Sequence, residues 1–126
     1  MLKTFLSAKI HGIKVTDKCL QYDGSQTLPV SLMQQVGIAP YEQVHVVNIT
    51  NGNRWITYAI EGKEGECVLN GAAARLGEIG DELIVMAYCQ YMFTLGGIGQ
   101  VIDAEWPPQK EFPKIIHLEK NNGSSS

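Results

Sequence analysis

The sequence predicts a mainly β fold, a compact barrel of short strands with two or three short helices. Most runs rich in valine, isoleucine, threonine and aromatic residues are short, and glycine, proline or asparagine separates them. Asn51-Gly52, the strongest two-residue hairpin signal, lies between two such runs. Helical patterns are confined to Pro29–Val36 and Ala72–Leu76, which leaves strands as the main elements.

The first third of the chain is predicted to hold strands followed by one helix. Leu2–Val15 forms one or two strands with a break at Gly12, and Cys19–Tyr22 is a short strand that ends at the Asp23-Gly24 turn. Pro29–Val36 is a helix, because proline suits the first helical position and a glycine follows its end. Its shared apolar face consists of Leu32, Met33 and Val36.

A hairpin follows. Val44–Thr50 and Asn53–Ile60 are β-rich runs separated by Asn51-Gly52. A two-residue loop would pair Thr50 with Asn53. The same register pairs Val47 with Ile56, Val46 with Thr57 and His45 with Tyr58.

The remaining elements are predicted in the following order: a turn at Glu61–Glu66, a strand at Cys67–Leu69, a brief helix at Ala72–Leu76 that stops at Gly77, a turn at Gly80-Asp81, a long strand at Leu83–Phe93, a glycine-rich loop at Thr94–Gly99, a proline-rich stretch at Trp106–Pro113 and a last strand at Lys114–Leu118. Residues 1–118 are predicted to form a single domain and residues 119–126 a flexible tail. The role of residues 94–113 is open.

Composition excludes several classes of protein. The chain has 126 residues and a formal net charge of −3, so it has no basic footprint for nucleic acid. Its apolar runs are too short for a signal peptide or a membrane span. The three cysteines, Cys19, Cys67 and Cys89, form no C-x-x-C pair, which predicts buried, reduced thiols in a cytoplasmic protein. His45 and His117 are isolated, so no metal site is expected.

The chemistry is concentrated in four short segments. Ser25 lies in Tyr22-Asp23-Gly24-Ser25-Gln26, after Lys9-Ile10-His11 and before two further segments, residues 51–58 and Asn70-Gly71-Ala72-Ala73-Ala74. A Gly-Ser dipeptide alone is usually a turn. In this order, however, the segments resemble the self-processing, pyruvoyl-dependent aspartate 1-decarboxylases, most clearly over residues 1–90.

The resemblance implies a fold, a reaction and an assembly. The fold would be a double-psi β-barrel, with which the predicted element order is compatible. The reaction would be decarboxylation of L-aspartate to β-alanine, in the pathway to pantothenate and coenzyme A. The assembly would be a homotetramer with sites between protomers, and a maturation factor is left open.

The resemblance also implies that Ser25 becomes the cofactor. Its hydroxyl would attack the carbonyl of Gly24, the cleavage site, and yield a β chain of residues 1–24 and an α chain of residues 25–126. Residue 25 would end as a pyruvoyl group, which forms a Schiff base with the substrate amine, so neither a metal nor pyridoxal phosphate is needed. Glycine suits the position before the serine, because it accepts unusual backbone angles and leaves its carbonyl open.

Other matched positions receive roles from the resemblance. Tyr58 would be the proton donor, and a phenol suits that task. The substrate-binding residues would be Thr57, Gly71, Ala72, Ala73, Arg54, Lys9 and His11, and the supporting residues Tyr22 and Asn70. Arg54 and Lys9 offer positive charge for the substrate carboxylates. Asn70 is predicted to cap the helix that follows it, and the free N–H groups of that turn would form an anion site.

Geometry complicates this assignment at two adjacent residues. A regular strand would send Thr57 and Tyr58 to opposite faces. Either the strand twists or bulges there, or the site lies at a subunit boundary. Val47 and Trp55 depart from the family's usual residues, which affects packing around the site more than the chemistry.

Two other functions are compatible with the residues. The chain could be a self-cleaving hydrolase that exposes Ser25 as an unmodified N-terminal nucleophile. It could also be a non-catalytic small β-barrel that binds an anion or a protein. Cleavage and the chemical state of residue 25 discriminate among all three.

Overall fold

The structure is a computed structural model that describes residues 1–92, 95–96, 100–101, 112–119 and 122. Eight of its strands form one mixed sheet: β1 (Leu2–Lys14), β2 (Asp17–Cys19), β3 (Gln26–Pro29), β4 (Gln43–Asn48), β5 (Arg54–Gly62), β6 (Val68–Asn70), β7 (Glu82–Met92) and β10 (Lys114–His117). Their order in the sheet is β10-β1-β7-β4-β5-β3-β6-β2. The predicted mainly β, barrel-like fold is confirmed, and it has one α-helix, α1 (Val30–Val36), and one 3-10 helix (Gly71–Arg75) among the described residues.

The first predicted strand is present and the second is misplaced. β1 runs through Gly12 as one strand, and its register against β7 shifts between His11 and Ile13. β2 occupies Asp17–Cys19 instead of Cys19–Tyr22. β2 is short because its parallel partner β6 has only three residues with which it can pair. The chain turns directly after β2, where the Tyr22 N–H donates to the Cys19 carbonyl at 3.4 Å.

Strand β3 was not predicted at all. All four of its residues are buried, and it lies between β5, which runs parallel to it, and β6, which runs antiparallel. Pro29 therefore ends a strand and precedes the helix instead of starting it. The rest of the helix prediction is confirmed: α1 ends at Gly37 with φ of 83°, and its buried residues are Leu32, Met33 and Val36.

The hairpin is present, but its predicted register is wrong by two residues. Val46 pairs with Trp55 and Val44 with Thr57. The strands part at Asn48, whose N–H donates to the Asn53 carbonyl at 2.8 Å. The loop is longer than predicted because the buried Asn48 carboxamide oxygen accepts backbone N–H bonds from within it, from Thr50 at 2.9 Å and Asn51 at 3.3 Å.

The later elements agree to within about a residue, with corrections. The helix predicted at Ala72–Leu76 is the 3-10 helix Gly71–Arg75, and the strands predicted at Cys67–Leu69, Leu83–Phe93 and Lys114–Leu118 are β6, β7 and β10. The predicted loop at Thr94–Gly99 is wrong in part, because β8 (Leu95–Gly96) pairs with β9 (Gln100–Val101). Phe93, residues 106–111 and 123–126 lie outside the described residues. Asn122, within the predicted tail, hydrogen-bonds to Lys14 and Gly65.

The sheet has a buried inner side and a partly open outer side. Inner residues such as Ile10, Val46 and Val85 are fully buried. We call the opposite side of β1, β7, β4 and β5 the outer face. According to the strand register, its side chains are those of Lys9, His11, Ile84, Met86, Gln43, His45, Val47, Arg54, Ile56 and Tyr58. No helix of the described residues is long and apolar enough to cross a membrane.

The prediction that the three cysteines are buried is right for one of them. Cys67 is buried, Cys89 is half-buried and Cys19 is exposed, and all three thiols are free. Burial raises the pKa of the Cys67 thiol to about 12, and the hydrogen bond from Gln26 opposes that shift only in part. Cys67 is therefore protonated and inert near neutral pH.

Candidate active site

Ser25 lies in the short connection between β2 and β3 and is fully buried. Its φ is 105° and that of the preceding Gly24 is 103°. Positive φ costs glycine little, but it strains a serine, so the surrounding fold must hold Ser25 in place. The strained conformation thus begins directly at the Gly24–Ser25 peptide.

The Asn70 side chain binds the Ser25 hydroxyl. Asn70 Nδ2 donates to Ser25 Oγ at 3.0 Å and to Thr27 Oγ1 at 2.8 Å. The Asn70 backbone N–H also donates to the Ser25 carbonyl at 3.2 Å. Asn70 does stand at the N-terminus of the 3-10 helix, but the predicted side-chain cap is absent because its carboxamide is engaged with the two hydroxyls.

Gly71 packs directly on Gly24, the predicted cleavage site. Its φ is 68°, and a Cβ built on it would lie 2.7 Å from Gly24 Cα and 2.8 Å from the Tyr22 carbonyl oxygen. Real Cβ contacts are essentially never this short. Only glycine at position 71 therefore allows the 3-10 helix to approach the Gly24–Ser25 segment this closely.

A cavity of about 200 Å³ opens beside Gly24. The residues that line it are Gly24, Trp55, Ile56, Thr57, Asn70, Ala72, Ala73 and Leu76. Trp55 forms part of its wall, and its buried indole N–H has no acceptor among the described residues. The cavity joins Gly24 and Asn70 to the Thr57 side of β5, so it can hold a small molecule beside the residue that precedes Ser25.

The predicted site residues fall into two groups. Gly24, Ser25, Thr57, Asn70, Gly71, Ala72 and Ala73 gather around this cavity. Of the other five, Lys9, His11, Arg54 and Tyr58 lie on the outer face, and Tyr22 lines the same cavity as Tyr58. Because β7 and β4 separate β1 from β5, Lys9 and His11 are not brought to Ser25 within one chain.

The outer-face group is arranged in rows across the sheet. His11, Ile84, Val47 and Arg54 are successive register partners. The next row contains Lys9, Met86, His45 and Ile56. His11 and Arg54 are three strand spacings apart, roughly 14 Å. Each row therefore places a cationic or polar group at the margin of a partly exposed apolar stripe.

Tyr58 faces a second cavity, of about 300 Å³. Its lining residues are Tyr22, Pro40, Tyr41, Tyr58, Ile60 and Glu61. The Tyr41 and Tyr58 ring centroids are 6.2 Å apart. Tyr22 lines this cavity, and its carbonyl oxygen lies close to Gly71.

The strand at Thr57 and Tyr58 is regular. Val44 pairs with Thr57 and Gln43 with Tyr58, without a bulge in β5. The two side chains point to opposite faces, as a regular strand requires. The local bulge that the sequence offered as one explanation is therefore absent from β5.

The sequence analysis did not identify three contributions to the site: the Thr27 hydroxyl that binds Asn70, the close contact of Gly62 with Thr27, and the position of Trp55 in the cavity wall. Thr27 is two residues after Ser25, and the strand period of two could have indicated that they share a side. Gly62 carried no signal, because its importance depends on what β3 places against it. Among the described residues, no group of three or more His, Cys, Asp or Glu side chains could hold a metal ion.

Comparison with known proteins agrees with this geometry. A sequence profile described as aspartate decarboxylase matches residues 1–123. The match therefore extends beyond residues 1–90, where the motifs resemble the family most clearly. Aspartate 1-decarboxylase 2 of Gloeobacter violaceus is 44% identical over 124 residues, 97% of this chain and 90% of that protein. Aspartate 1-decarboxylase of Pyrobaculum islandicum is 54% identical over 87 residues, 69% of this chain and 72% of that protein. That of Leptospira biflexa is 42% identical over 124 residues, 97% and 96% of the two chains.

Proposed function

The chain belongs to the aspartate decarboxylase family, and on that premise we propose that Ser25 is the precursor of its pyruvoyl group. The enzyme decarboxylates L-aspartate to β-alanine, which serves pantothenate and coenzyme A biosynthesis. Self-cleavage is characteristic of this family. One observation carries the assignment of Ser25: a fully buried serine at positive φ follows a glycine at positive φ, with its hydroxyl held by Asn70.

Self-cleavage begins as an acyl shift. Ser25 Oγ attacks the Gly24 carbonyl carbon through a five-membered ring, and the carbonyl oxygen becomes an oxyanion. The C–N bond then breaks, and the Ser25 nitrogen takes up the hydroxyl proton, which leaves an ester between Gly24 and Ser25 Oγ. The positive φ values support this step, because opening the strained peptide relieves a conformational cost.

Elimination and hydrolysis complete the maturation. A base removes the Ser25 Cα proton, the Cβ–Oγ bond breaks, and Gly24 keeps Oγ in its new carboxylate. Residue 25 becomes dehydroalanine, and water then replaces its nitrogen, which leaves as ammonia. In sum, one water is consumed and one ammonia is released.

The residues at the cavity fit these steps. Thr57 lines the same cavity as Gly24, so its hydroxyl is a suitable donor for the oxyanion. Ala72 and Ala73 line it as well, and we assign the backbone of residues 71–73 to a substrate carboxylate. When present, the pyruvoyl group supplies a ketone that condenses with the substrate amine and accepts the electron pair released with carbon dioxide.

We assign the outer-face residues to the same site in a neighbouring copy. Tyr58 would return a proton to the substrate carbon after decarboxylation, and Arg54, Lys9 and His11 would bind its carboxylates. Two observations support an assembly such as the predicted homotetramer. The outer face carries partly exposed apolar residues, of which Ile56 is 59% exposed. The regular strand at Thr57 and Tyr58 also gives one chain no way to bring both to one site.

Intact mass tests the cofactor assignment. Freshly purified protein should separate into residues 1–24 and 25–126, and the larger fragment should be lighter than a serine-initiated chain by one ammonia. The Ser25→Ala variant should stay whole. A free N-terminal serine would favour the hydrolase, and an unbroken wild-type chain would favour the binding module.

Mixed assemblies test the shared site. Ser25→Ala subunits and Tyr58→Phe subunits, each impaired alone, should regain activity when co-expressed, because some sites combine an intact Ser25 with an intact Tyr58. The control mixes Ser25→Ala with the double variant and should stay inactive. A site built from two chains would be ruled out if the first mixture were no more active than the Ser25→Ala and Tyr58→Phe proteins measured separately and added.

The free state of all three cysteines supports the prediction that the enzyme works in the cytoplasm. An oxidising compartment would be expected to bridge or modify the exposed Cys19 thiol. Labelling of that thiol in freshly lysed cells tests this. Extensive prior oxidation of Cys19 would contradict a reducing compartment.

A further inference from the structure

We propose that Thr27 is a positioning residue for self-cleavage: by accepting one N–H of the Asn70 carboxamide, it aims the other N–H at Ser25 Oγ. This inference rests on the proposed role of Ser25 as the pyruvoyl precursor. Thr27 is not assigned a contact with the scissile peptide or with substrate. It acts through Asn70.

The hydrogen-bond count is complete at the Asn70 amide. A carboxamide nitrogen has two hydrogens, and the two hydroxyls lie 2.8 Å and 3.0 Å from it, so each takes one. All three residues are buried, with Ser25, Asn70 and Thr27 exposed by 0%, 4% and 8%. Water therefore has little access to replace either partner, and the loss of one acceptor would leave a buried N–H free to reorient the group.

Packing fixes the direction of the Thr27 hydroxyl. A Cβ built on Gly62 would lie 2.5 Å from Thr27 Cγ2, so the bare backbone of β5 contacts that methyl group. The methyl is held on the β5 side, which directs Oγ1 to Asn70. The backbones are fixed as well, because Thr27 pairs with Val68 and the Asn70 N–H binds the Ser25 carbonyl. Only the Asn70 side-chain torsions are left to be set, and Thr27 sets them.

The chemistry indicates the step that depends on this arrangement. During elimination the electron pair of the Cβ–Oγ bond goes to Oγ, which ends as a carboxylate oxygen of Gly24. An N–H bond to that oxygen strengthens as the charge develops, and so it lowers the barrier to elimination. During the first attack Oγ gains no negative charge. The loss of the Thr27 anchor should therefore slow elimination more than the acyl shift, and the ester should accumulate.

The experiment compares Thr27→Val with Thr27→Ser in freshly synthesised full-length chain. Valine keeps the branched shape and removes the acceptor, whereas serine keeps the acceptor. Intact mass follows release of the α chain over time. Hydroxylamine added to quenched, denatured samples cleaves the ester, which has the same mass as the precursor, and so counts it.

Thr27→Val should release the α chain about tenfold more slowly, the factor equivalent to one hydrogen bond of about 1.4 kcal/mol. Its hydroxylamine-sensitive fraction should rise, and Thr27→Ser should restore both values. Thr16→Val is the matched control, because the Thr16 hydroxyl binds the Cys67 backbone and has no contact with Asn70. It should mature at the wild-type rate.

Two results would overturn the inference: wild-type kinetics in Thr27→Val, or equal slowing in Thr27→Ser, which would assign the effect to packing. Should circular dichroism show that Thr27→Val does not fold, Thr27→Ala replaces it, since alanine and serine differ only by the hydroxyl. Failure of the proposed function looks different, because the wild-type chain itself would then stay whole or expose a free serine.

Discussion

Replacing Gly71 with alanine adds a methyl group where the backbone of Gly24 already lies. The new Cβ would be 2.7 Å from Gly24 Cα and 2.8 Å from the Tyr22 carbonyl oxygen, and both neighbours are backbone atoms that cannot rotate away. The 3-10 helix and the cleavage segment must therefore separate. We expect the variant to be less stable and to cleave more slowly, because the strained Gly24–Ser25 peptide loses one of the surfaces that hold it.

The magnitude has two parts. Alanine at a φ of 68° costs about 1–2 kcal/mol for its left-handed conformation. The overlap with Gly24 adds about 1–3 kcal/mol, the usual cost of overpacking. Gly37→Ala separates the two parts, because Gly37 has a φ of 83° and an added Cβ would meet nothing within 4 Å. That control should show the conformational cost alone.

Urea unfolding in a Ser25→Ala background measures stability without interference from cleavage, at one protein concentration throughout. The difference between the Gly71→Ala and Gly37→Ala effects should be about 1–3 kcal/mol. Intact mass, with Ser25 present, measures maturation, which only Gly71→Ala should slow. Equal stability and equal maturation in the two variants would refute the argument that Gly71 holds the cleavage site.

Other predictions concern catalysis, acid stability and thiol reactivity. Tyr58→Phe should cleave normally but form β-alanine at least about 10²-fold more slowly, because it lacks the general acid. If intact mass showed that this variant does not cleave, the main role of Tyr58 would lie in maturation instead. The hydrogen bond from Asn48, with help from the Glu78 N–H, lowers the pKa of the Asp81 carboxyl. That stabilisation is complete above the unfolded pKa of about 3.9 and is lost as pH falls through the folded value. The melting temperature of Asp81→Asn should therefore depend less on pH below that point, and an unchanged acid profile would contradict this. Iodoacetamide at mildly alkaline pH should label the exposed Cys19 well before the buried Cys67, because the pKa of the Cys67 thiol is about 12. Peptide mass spectrometry measures both labelling rates, and equal rates would show that Cys67 is accessible.

Local patterns predicted most of the fold, and the errors have physical causes. The helix end at Gly37 was predictable because it depends on a single residue's backbone freedom. The hairpin register was not, because the buried Asn48 side chain captures loop N–H groups that a two-residue turn would not present. Strand β3 gave no alternating pattern, because its residues are buried on both faces of the sheet.

The candidate site divides in the same way. The residue types and their order along the chain were enough to indicate the chemistry around Ser25 and Asn70. The bond from Asn70 to Thr27 depends on how β3 meets β6, which spacing along the chain does not express. The positions of Lys9 and Tyr58 on the outer face, away from the Ser25 hydroxyl, depend on the sheet order and could not be predicted from spacing along the chain.

If Ser25 is the pyruvoyl precursor, as proposed, its φ of 105° also favours the products of maturation. Once residue 25 begins a chain and its Cα becomes trigonal, it has no φ left to constrain, and a penalty of roughly 1–3 kcal/mol carried by the newborn polypeptide vanishes from the finished enzyme. Rejoining the two pieces would have to restore that penalty as well as the lost nitrogen. On the proposed route, the relief of this penalty would add to the loss of ammonia in favouring the cleaved products.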